Sequence, residues 1–410
     1  MSDSNSLKVP FSRPSISKEE IKLVTKILKS GWLTTGKYAL EFEKKFSDFM
    51  NAKPKMLEER KKFGLSCEPV KSLAVNSNTS GMILAMEACG VVPGTAVITT
   101  PYTFVSTAMC ARHLGAEVYF ADIEKNSYSI DPEKVENILR SSKGKNVKAI
   151  IPVHIAGNLC NMKKIMQIAK NYNVKVIEDA AHSFPSETSL GYAGTIGDIG
   201  VFSFYVTKTI TTAEGGMICT RDCELAKRMT IMRMHGMDRT TWDRYTSPRA
   251  SWEYDIVAPG YKFNLPDILA SIGIVQLKKA EKFYEKRIKI VEKYNKAFEN
   301  LDFVQTPPTS EGNAWHLYLL RIVPEKLKIG RDDFAKQLQK AGIGISVHFI
   351  PLFYFTYWKE LYSDFTAENF PEAAKRYSQT ISIPLCPDMS EKMAENVISE
   401  VTKIGLENHV

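Results

Sequence analysis

Lys208 stands in the segment VFSFYVTKTITTAEGGMICT, in a turn between two strand-like runs. A lysine amine attacks a carbonyl only after losing its proton, and partial burial or neighbouring cations lower its pKa enough for that. Upstream, VIEDAAHS ends an apolar strand with Asp179 and, three residues on, His182. A carboxylate there can hold a heterocyclic nitrogen protonated, and an imidazole can hydrogen-bond a ring oxygen. Earlier still, Asn76-Ser77-Asn78-Thr79-Ser80-Gly81 lies between a strand and a helix. Open N–H groups of a first helical turn, with the helix dipole behind them, favour an anion. Ser203, five residues before Lys208, offers a hydroxyl to the same anion. Together these groups fit a phosphate-bearing aldehyde cofactor. Taken singly each has a plainer reading: a helix cap, a core histidine or metal ligand, a solvated surface lysine.

The elements that must hold these groups are short and regular. From about residue 72 to 220, β-rich runs (SLAV, AVITT, EVYFAD, KAIIPVH, KVIEDA) alternate with helix-length segments, which predicts a parallel sheet covered by helices. Such a sheet collects ligands at the C-terminal ends of its strands. In TSGMILAMEACG, Met82, Ile83, Met86 and Cys89 form an apolar stripe for packing on that sheet. FSFYV and MICT continue the strands. Long helical stretches follow over 264–299, then a mixed segment with HLYLLRIV, GISVHFIPL and ISIPL, so a domain change is expected near residue 260. DRTTWDRYTSPRASWEYD carries four aromatics and is expected to fold over a site rather than serve as a passive linker.

At 410 residues, 44% hydrophobic and 24% charged, the chain reads as globular, with one large and one smaller domain and no apolar run long enough for a membrane helix. Its polar start, MSDSNSLKVPFSRPSISKEE, has no secretory pattern, so a cytoplasmic location is expected. Seven scattered cysteines without a CxxC pair predict neither disulfides nor a zinc site. The net charge of +8 is dispersed: Lys and Arg alternate with Glu and Asp, as in EKFYEKRIKIVEKYNKAFEN, which predicts solvated helix faces rather than nucleic-acid binding. A modest positive bias suits an anionic substrate such as a nucleotide diphosphate.

In this order the three segments resemble the DegT/DnrJ/StrS class of sugar-nucleotide aminotransferases, a branch of the aspartate-aminotransferase-like PLP (pyridoxal 5'-phosphate) fold type I. The resemblance spans nearly the whole chain: SGWLTTG, VPGTAVITTPYTFVSTA, GAEVYFADI, AIIPVHIAGN, VIEDAAHS, GDIGVFSFYVTK, EGGMICT, the MHG of 234–236, PGYKFNLPDI, AWHLYLLRI and ISIPLCPDMS. It implies an α/β architecture. Residues 1–260 would form a large PLP-binding domain on a mostly parallel mixed sheet, and 261–410 a smaller α+β domain. PGYKFNLPDI, AWHLYLLRI and GISVHF are most similar to the UDP-4-amino-4-deoxy-L-arabinose aminotransferase subgroup, which acts on UDP-linked 4-keto sugars.

Carried over by position, the resemblance makes Lys208 the covalent anchor of PLP, Asp179 the partner of the pyridine nitrogen and His182 the neighbour of the ring oxygen. Ser203, Asn78 and Thr79 match phosphate contacts, and Phe104 an aromatic ring stacked on the cofactor. Asn264 matches a residue that reaches the phosphate from the neighbouring subunit, which implies a homodimer with shared sites. Trp32, Thr34, Thr35 and His348 match the sugar-nucleotide pocket. The implied partners are L-glutamate, released as 2-oxoglutarate, and a nucleotide-linked keto sugar; the implied product serves lipopolysaccharide, another surface glycan or a glycosylated metabolite. A sugar dehydratase of the same fold would carry histidine in place of Lys208, and a non-catalytic sugar-binding or regulatory protein would not need the set Lys208, Asp179 and Ser203. One departure stands out. Roughly twenty extra residues, 53–72, separate the helix near Phe49 from the strand at Leu73, and a surface loop is expected there rather than a segment reshaping the pocket mouth.

Overall fold

The structure is a computed structural model that describes residues 7–51, 53–238 and 253–410. Fourteen residues of the aromatic segment, 239–252, lie outside the described residues. A seven-stranded sheet forms the centre: β1 (Lys71–Val75), β2 (Ala96–Thr99), β3 (Glu117–Phe120), β4 (Val147–Ile150), β5 (Lys175–Asp179), β8 (Ile199–Ser203) and β9 (Gly216–Thr220). Their order is β1-β9-β8-β5-β4-β2-β3, and only β9 runs antiparallel to its neighbours. This is the mostly parallel mixed sheet the alternation predicts. Strands buried on both faces read as near-continuous apolar runs, and AVIT and IGVFS do so. Between β5 and β8 a small hairpin, β6 (Glu187–Thr188) and β7 (Gly191–Tyr192), stands apart from the sheet.

Helices α1 (Lys18–Ser30), α2 (Lys37–Met50) and α3 (Pro54–Lys62) precede the sheet, and α4 (Asn78–Ala88), α5 (Val105–His113), α6 (Pro132–Arg140), α7 (Met162–Tyr172) and α8 (Cys223–Met232) cross over its strands. The expected stripe on α4 is wider than its spacing shows. Leu84 and Ala85 are fully buried together with Met82 and Met86, because the helix is covered by the sheet, α5 and α8. Gly81 permits the approach: a Cβ there would stand 2.6 Å from Val201 Cγ1.

Only part of the insertion at 53–72 is a loop: α3 occupies Pro54–Lys62, and residues 63–70 run without helix or strand. Pro at its first turn starts α3, Met56 turns into the core, and Arg60, 1% exposed, donates to the carbonyls of Ser66, Leu190 and Thr195. Lys53 Nζ reaches Glu187 at 2.6 Å. The segment therefore fastens the hairpin and the chain beyond it, and the lack of clear periodicity in a nine-residue helix concealed this from a reading of pattern alone.

Beyond residue 260, α9 (Asp267–Lys278) packs against α2, and Leu265, Ala270, Ile274, Leu277 and Phe283 extend the cluster on the sheet face that holds Phe42, Phe46, Phe202 and Phe204. A separate cluster begins at Ile290 in α10 (Ala280–Phe298). It gathers the three-stranded sheet β10 (Val304–Gln305), β11 (Tyr318–Ile322) and β12 (Thr380–Ile383) with α11 (Arg331–Lys340) and α14 (Glu391–Glu407). In the mixed segment, GISVHFIPL forms only an isolated bridge, Ser346 to Ser382. Helices α12 (Thr356–Leu361) and α13 (Pro371–Gln379) complete the fold. Among the described residues no helix is long and apolar enough to cross a membrane. The seven cysteines are unpaired, four of them buried.

Candidate active site

A cavity of about 390 Å³ opens where the parallel strands end. Ser77, Asn78 and Thr79 follow β1; Thr103, Phe104 and Ser106 follow β2; Val153 follows β4. Asp179, Ala181 and His182 end and follow β5, and Ser203 and Lys208 end and follow β8. Sequence-distant groups meet because every parallel strand delivers its last residues to one edge.

Asp179 is 4% exposed. Its Oδ2 accepts a hydrogen bond from Thr107 Oγ1 at 2.8 Å and its Oδ1 one from the Ala181 N–H at 3.2 Å. Burial pushes its carboxyl above the ordinary aspartate range, while these bonds and the Lys208 amine pull the other way. The neighbouring strand residue, Glu178, points into the scaffold. It accepts from His154 Nε2 at 2.9 Å and from the N–H groups of Gly194, Ile196 and Gly197 at 2.7–2.8 Å.

At Lys208, burial brings the amine down to about 8, with Asp179 opposing the shift. At pH 7.5 about one such amine in four is neutral, against about one in a thousand for an ordinary lysine. The backbone N–H of Lys208 donates to Tyr205 O, closing the turn that aims the side chain into the cavity. Ser203 Oγ accepts from the Tyr205 N–H at 3.3 Å, so its own hydrogen is available to the cavity. Ser77 caps α4 by accepting from the Ser80 N–H, which leaves the first-turn amides of Asn78 and Thr79 without an intrahelical acceptor. The Asn78 side chain is already engaged, Nδ2 donating to Val201 O at 2.9 Å, so its backbone N–H is the group presented to an anion.

His182 Nδ1 accepts from the Ala156 N–H at 3.1 Å. A neutral imidazole so bonded carries its hydrogen on Nε2, and burial next to Lys208 keeps it neutral by lowering its pKa well below 6.5. Phe104, 55% exposed, forms the outer wall with Phe349, ring centroids 5.9 Å apart. His348 also lines the cavity, its ring 5.0 Å from that of Phe349. Its Nδ1 is 2.8 Å from Ser382 Oγ, the Tyr102 hydroxyl donates to its carbonyl, and burial lowers its pKa to about 4. Two residues given no role by the sequence reading also belong here. Thr107 holds Asp179, and its signal is the i, i+3 spacing from Phe104 across the start of α5. His316 lines the cavity with its ring 4.4 Å from His182 and its buried Nδ1 unpartnered. It sits in AWHLYLLRI, but nothing in that pattern separates a pocket histidine from a core one.

Trp32, Thr34, Thr35 and Asn264 are not among the residues lining this cavity. They form their own cluster: Asn264 Nδ2 donates to Thr35 Oγ1, Thr35 Oγ1 to Leu265 O, Trp32 Nε1 to Thr35 O, and the Asp267 N–H to Thr34 O. Among the described residues, no group of three or more His, Cys, Asp or Glu side chains could hold a metal ion.

The donor set fits PLP. Open amides and a hydroxyl await a phosphate, a buried carboxylate awaits a pyridinium nitrogen, and a partly neutral amine awaits an aldehyde. Fold and site thus define the class of PLP enzymes of fold type I. The chain belongs to the DegT/DnrJ/EryC1/StrS aminotransferase family, matched over residues 14–402, and is a PLP-dependent sugar aminotransferase. It is 39% identical over 399 residues to the spore coat polysaccharide biosynthesis protein SpsC of Bacillus subtilis, covering 97% of each chain. Among solved structures it is similar to the PLP form of the putative sugar aminotransferase Spr1654 of Streptococcus pneumoniae, with a TM-score of 0.85, 29% identity and 98% and 99% of the two chains covered. It is likewise similar to Helicobacter pylori PseC, an aminotransferase involved in pseudoaminic acid biosynthesis, with a TM-score of 0.83, 26% identity and 98% and 100% coverage.

Proposed function

We propose that this enzyme transfers an amino group from L-glutamate to the keto carbon of a nucleotide-linked sugar, a UDP-linked 4-keto sugar, in the cytoplasm and as a homodimer. The observation that carries the reading is the convergence of Lys208, Asp179 and His182 with the open N-terminus of α4 in one cavity. The kinship with SpsC, a spore coat polysaccharide biosynthesis protein, supports a product used in surface polysaccharide. PLP supplies an aldehyde that takes up the amine and a ring that absorbs the charge left when a proton departs.

The chain's own groups do the rest. Ser203 Oγ and the amides of Asn78 and Thr79 bind the phosphate, and Phe104 covers the ring. Asp179, held by Thr107 and Ala181, keeps a cationic nitrogen next to it, since losing that neighbour would leave a buried carboxylate unpaired. His182 donates from Nε2 toward the ring oxygen. Lys208 would hold the cofactor covalently; its amine, when free, would be a base poised near neutral pH to take the α-proton of glutamate, and its ammonium would return a proton. His348 faces the sugar, and Trp32, Thr34, Thr35 and Asn264 complete the pocket of the partner subunit.

The test is an absorbance spectrum of the purified protein with PLP, then with L-glutamate, then with a panel of nucleotide keto sugars. A yellow protein bleached by glutamate and recoloured by one keto sugar is the expected result, and that sugar is the acceptor. Failure to take up PLP would sink the reading.

A further inference from the structure

A second cavity, of about 440 Å³, lies at the edge of the three-stranded sheet and shares no lining residue with the first. Its walls are Asn126 from the loop after β3, the end of α10 with Phe298 and Glu299, then Val304, Gln305 and Thr306, and Arg321 from β11. Arg321 is 9% exposed, and its Nε is buried without a partner. No hydrogen bond or ion pair engages its guanidinium among the described residues. Behind it Arg376, 2% exposed, is in the same condition: its Nε is unpartnered, and its guanidinium lies 5.8 Å from the centroid of the Tyr128 ring. Arg376 lies close enough to Arg321 for the two charges to repel.

Buried guanidinium groups are ordinarily matched by carboxylates or saturated by carbonyls. Apart from Arg376, the other buried arginines among the described residues each reach at least one carbonyl. Arg60 uses three carbonyls, and Arg287 donates to those of Trp315, His316 and Leu385. Arg321 has neither, and the carboxylate nearest the cavity, Glu299, is exposed at its rim and makes no ion pair with it. The remaining polar side chains of the wall, Asn126, Gln305 and Thr306, are uncharged and make no hydrogen bonds of their own among the described residues.

We propose that this cavity binds a phosphate group. Arg321 takes two of its oxygens in the paired geometry a guanidinium favours, and Asn126, Gln305 and Thr306 donate to the others. A carboxylate, with two oxygens, would be used up by the arginine and leave the neutral donors idle. Arg376 adds positive potential from behind without contact.

The proposal does not depend on the substrate of the amino transfer, and its test uses the PLP-loaded enzyme so that the cofactor's own phosphate cup is filled. Thermal unfolding is followed against inorganic phosphate at constant ionic strength, with chloride and acetate as comparison anions. A saturable rise of a few degrees with phosphate alone is expected, because a ligand of the folded state raises the midpoint by mass action. Arg321→Gln should abolish it. Gln305→Glu, which sets a like charge on the exposed rim and leaves the buried arginines in place, should weaken apparent phosphate affinity at least tenfold and serves if the arginine variant folds poorly. The absorbance of bound PLP checks that each variant is intact. No saturable rise, an equal rise with acetate or chloride, or a rise unchanged in Gln305→Glu would each overturn the proposal.

Discussion

The cofactor cavity and the cluster around Asn264 are built from opposite uses of polar groups. In the cavity the chemistry-bearing groups, Lys208 Nζ, Ser203 Oγ–H, the amides of Asn78 and Thr79 and His182 Nε2, face inward with little or no partner in their own chain. In the cluster the side chains of Trp32, Thr35 and Asn264 bond one another or nearby backbone, and Trp32, Thr34, Thr35 and Asn264 are half-buried or exposed and do not line the cavity. One region is prepared for a ligand by leaving groups open. The other is stiffened by closing them, as would suit its proposed place in a second subunit's pocket.

The sharpest way to break this contrast is to remove its centre. Lys208→Ala should lower amino transfer by at least about a thousandfold, the loss of both covalent anchor and proton carrier, measured as single-turnover bleaching by glutamate. Asp179→Asn keeps shape and removes charge, and a loss of about a hundredfold, with weaker retention of PLP on dialysis, is expected; unchanged kcat would remove the carboxylate from the mechanism. Asn264→Ala should cost about tenfold, the scale of one hydrogen bond to a charged group, and it tests where the cluster acts. Mixed with Lys208→Ala, it should recover activity beyond the sum of the separate variants, because each mixed dimer regains one pocket with an intact lysine and an intact asparagine. Simple additivity would return the cluster to its own chain.

The smallest effect concerns acid. His348, lowered to about 4, and His182 and His316, both lowered well below 6.5, resist protonation in the folded protein while their unfolded counterparts take protons near pH 6.5. Their stabilisation is therefore present above about pH 6.5 and lost as pH falls toward 4. For His348 alone this amounts to about 2 kcal/mol by pH 5. The unfolding midpoint should drop by a few degrees over that range, and His348→Asn should flatten the slope.

Much of the cavity was legible because strand ends announce themselves. Asp179, Ser203 and Asn78 stand at or just past the point where an apolar run stops, and the alternation of runs already places those points on one edge. What escaped depends on contacts the chain makes across space. Thr107 matters through Asp179, seventy-two residues away. His316 is a pocket residue because its backbone N–H reaches Ala156 O, in the chain after β4. Residues 54–62 of the expected loop are helical, and Arg60 there finds the carbonyls of Leu190 and Thr195 far along the chain, which no local periodicity encodes. Likewise the pattern change at residue 260 marks a change of element, whereas the core changes only after Phe283, since α9 still packs on α2.

The adjacency of Glu178 and Asp179 has a consequence for how far this enzyme can be altered. Successive strand residues face opposite ways, so one carboxylate ties down the chain around 194–197 and the next serves the pocket. Neither can change sides without the other. In a scan of point changes and one-residue deletions along β5, conservative swaps at Val176 and Ile177 should survive, while any deletion before Glu178 should abolish scaffold and chemistry together. The strand is in that sense written in a fixed reading frame.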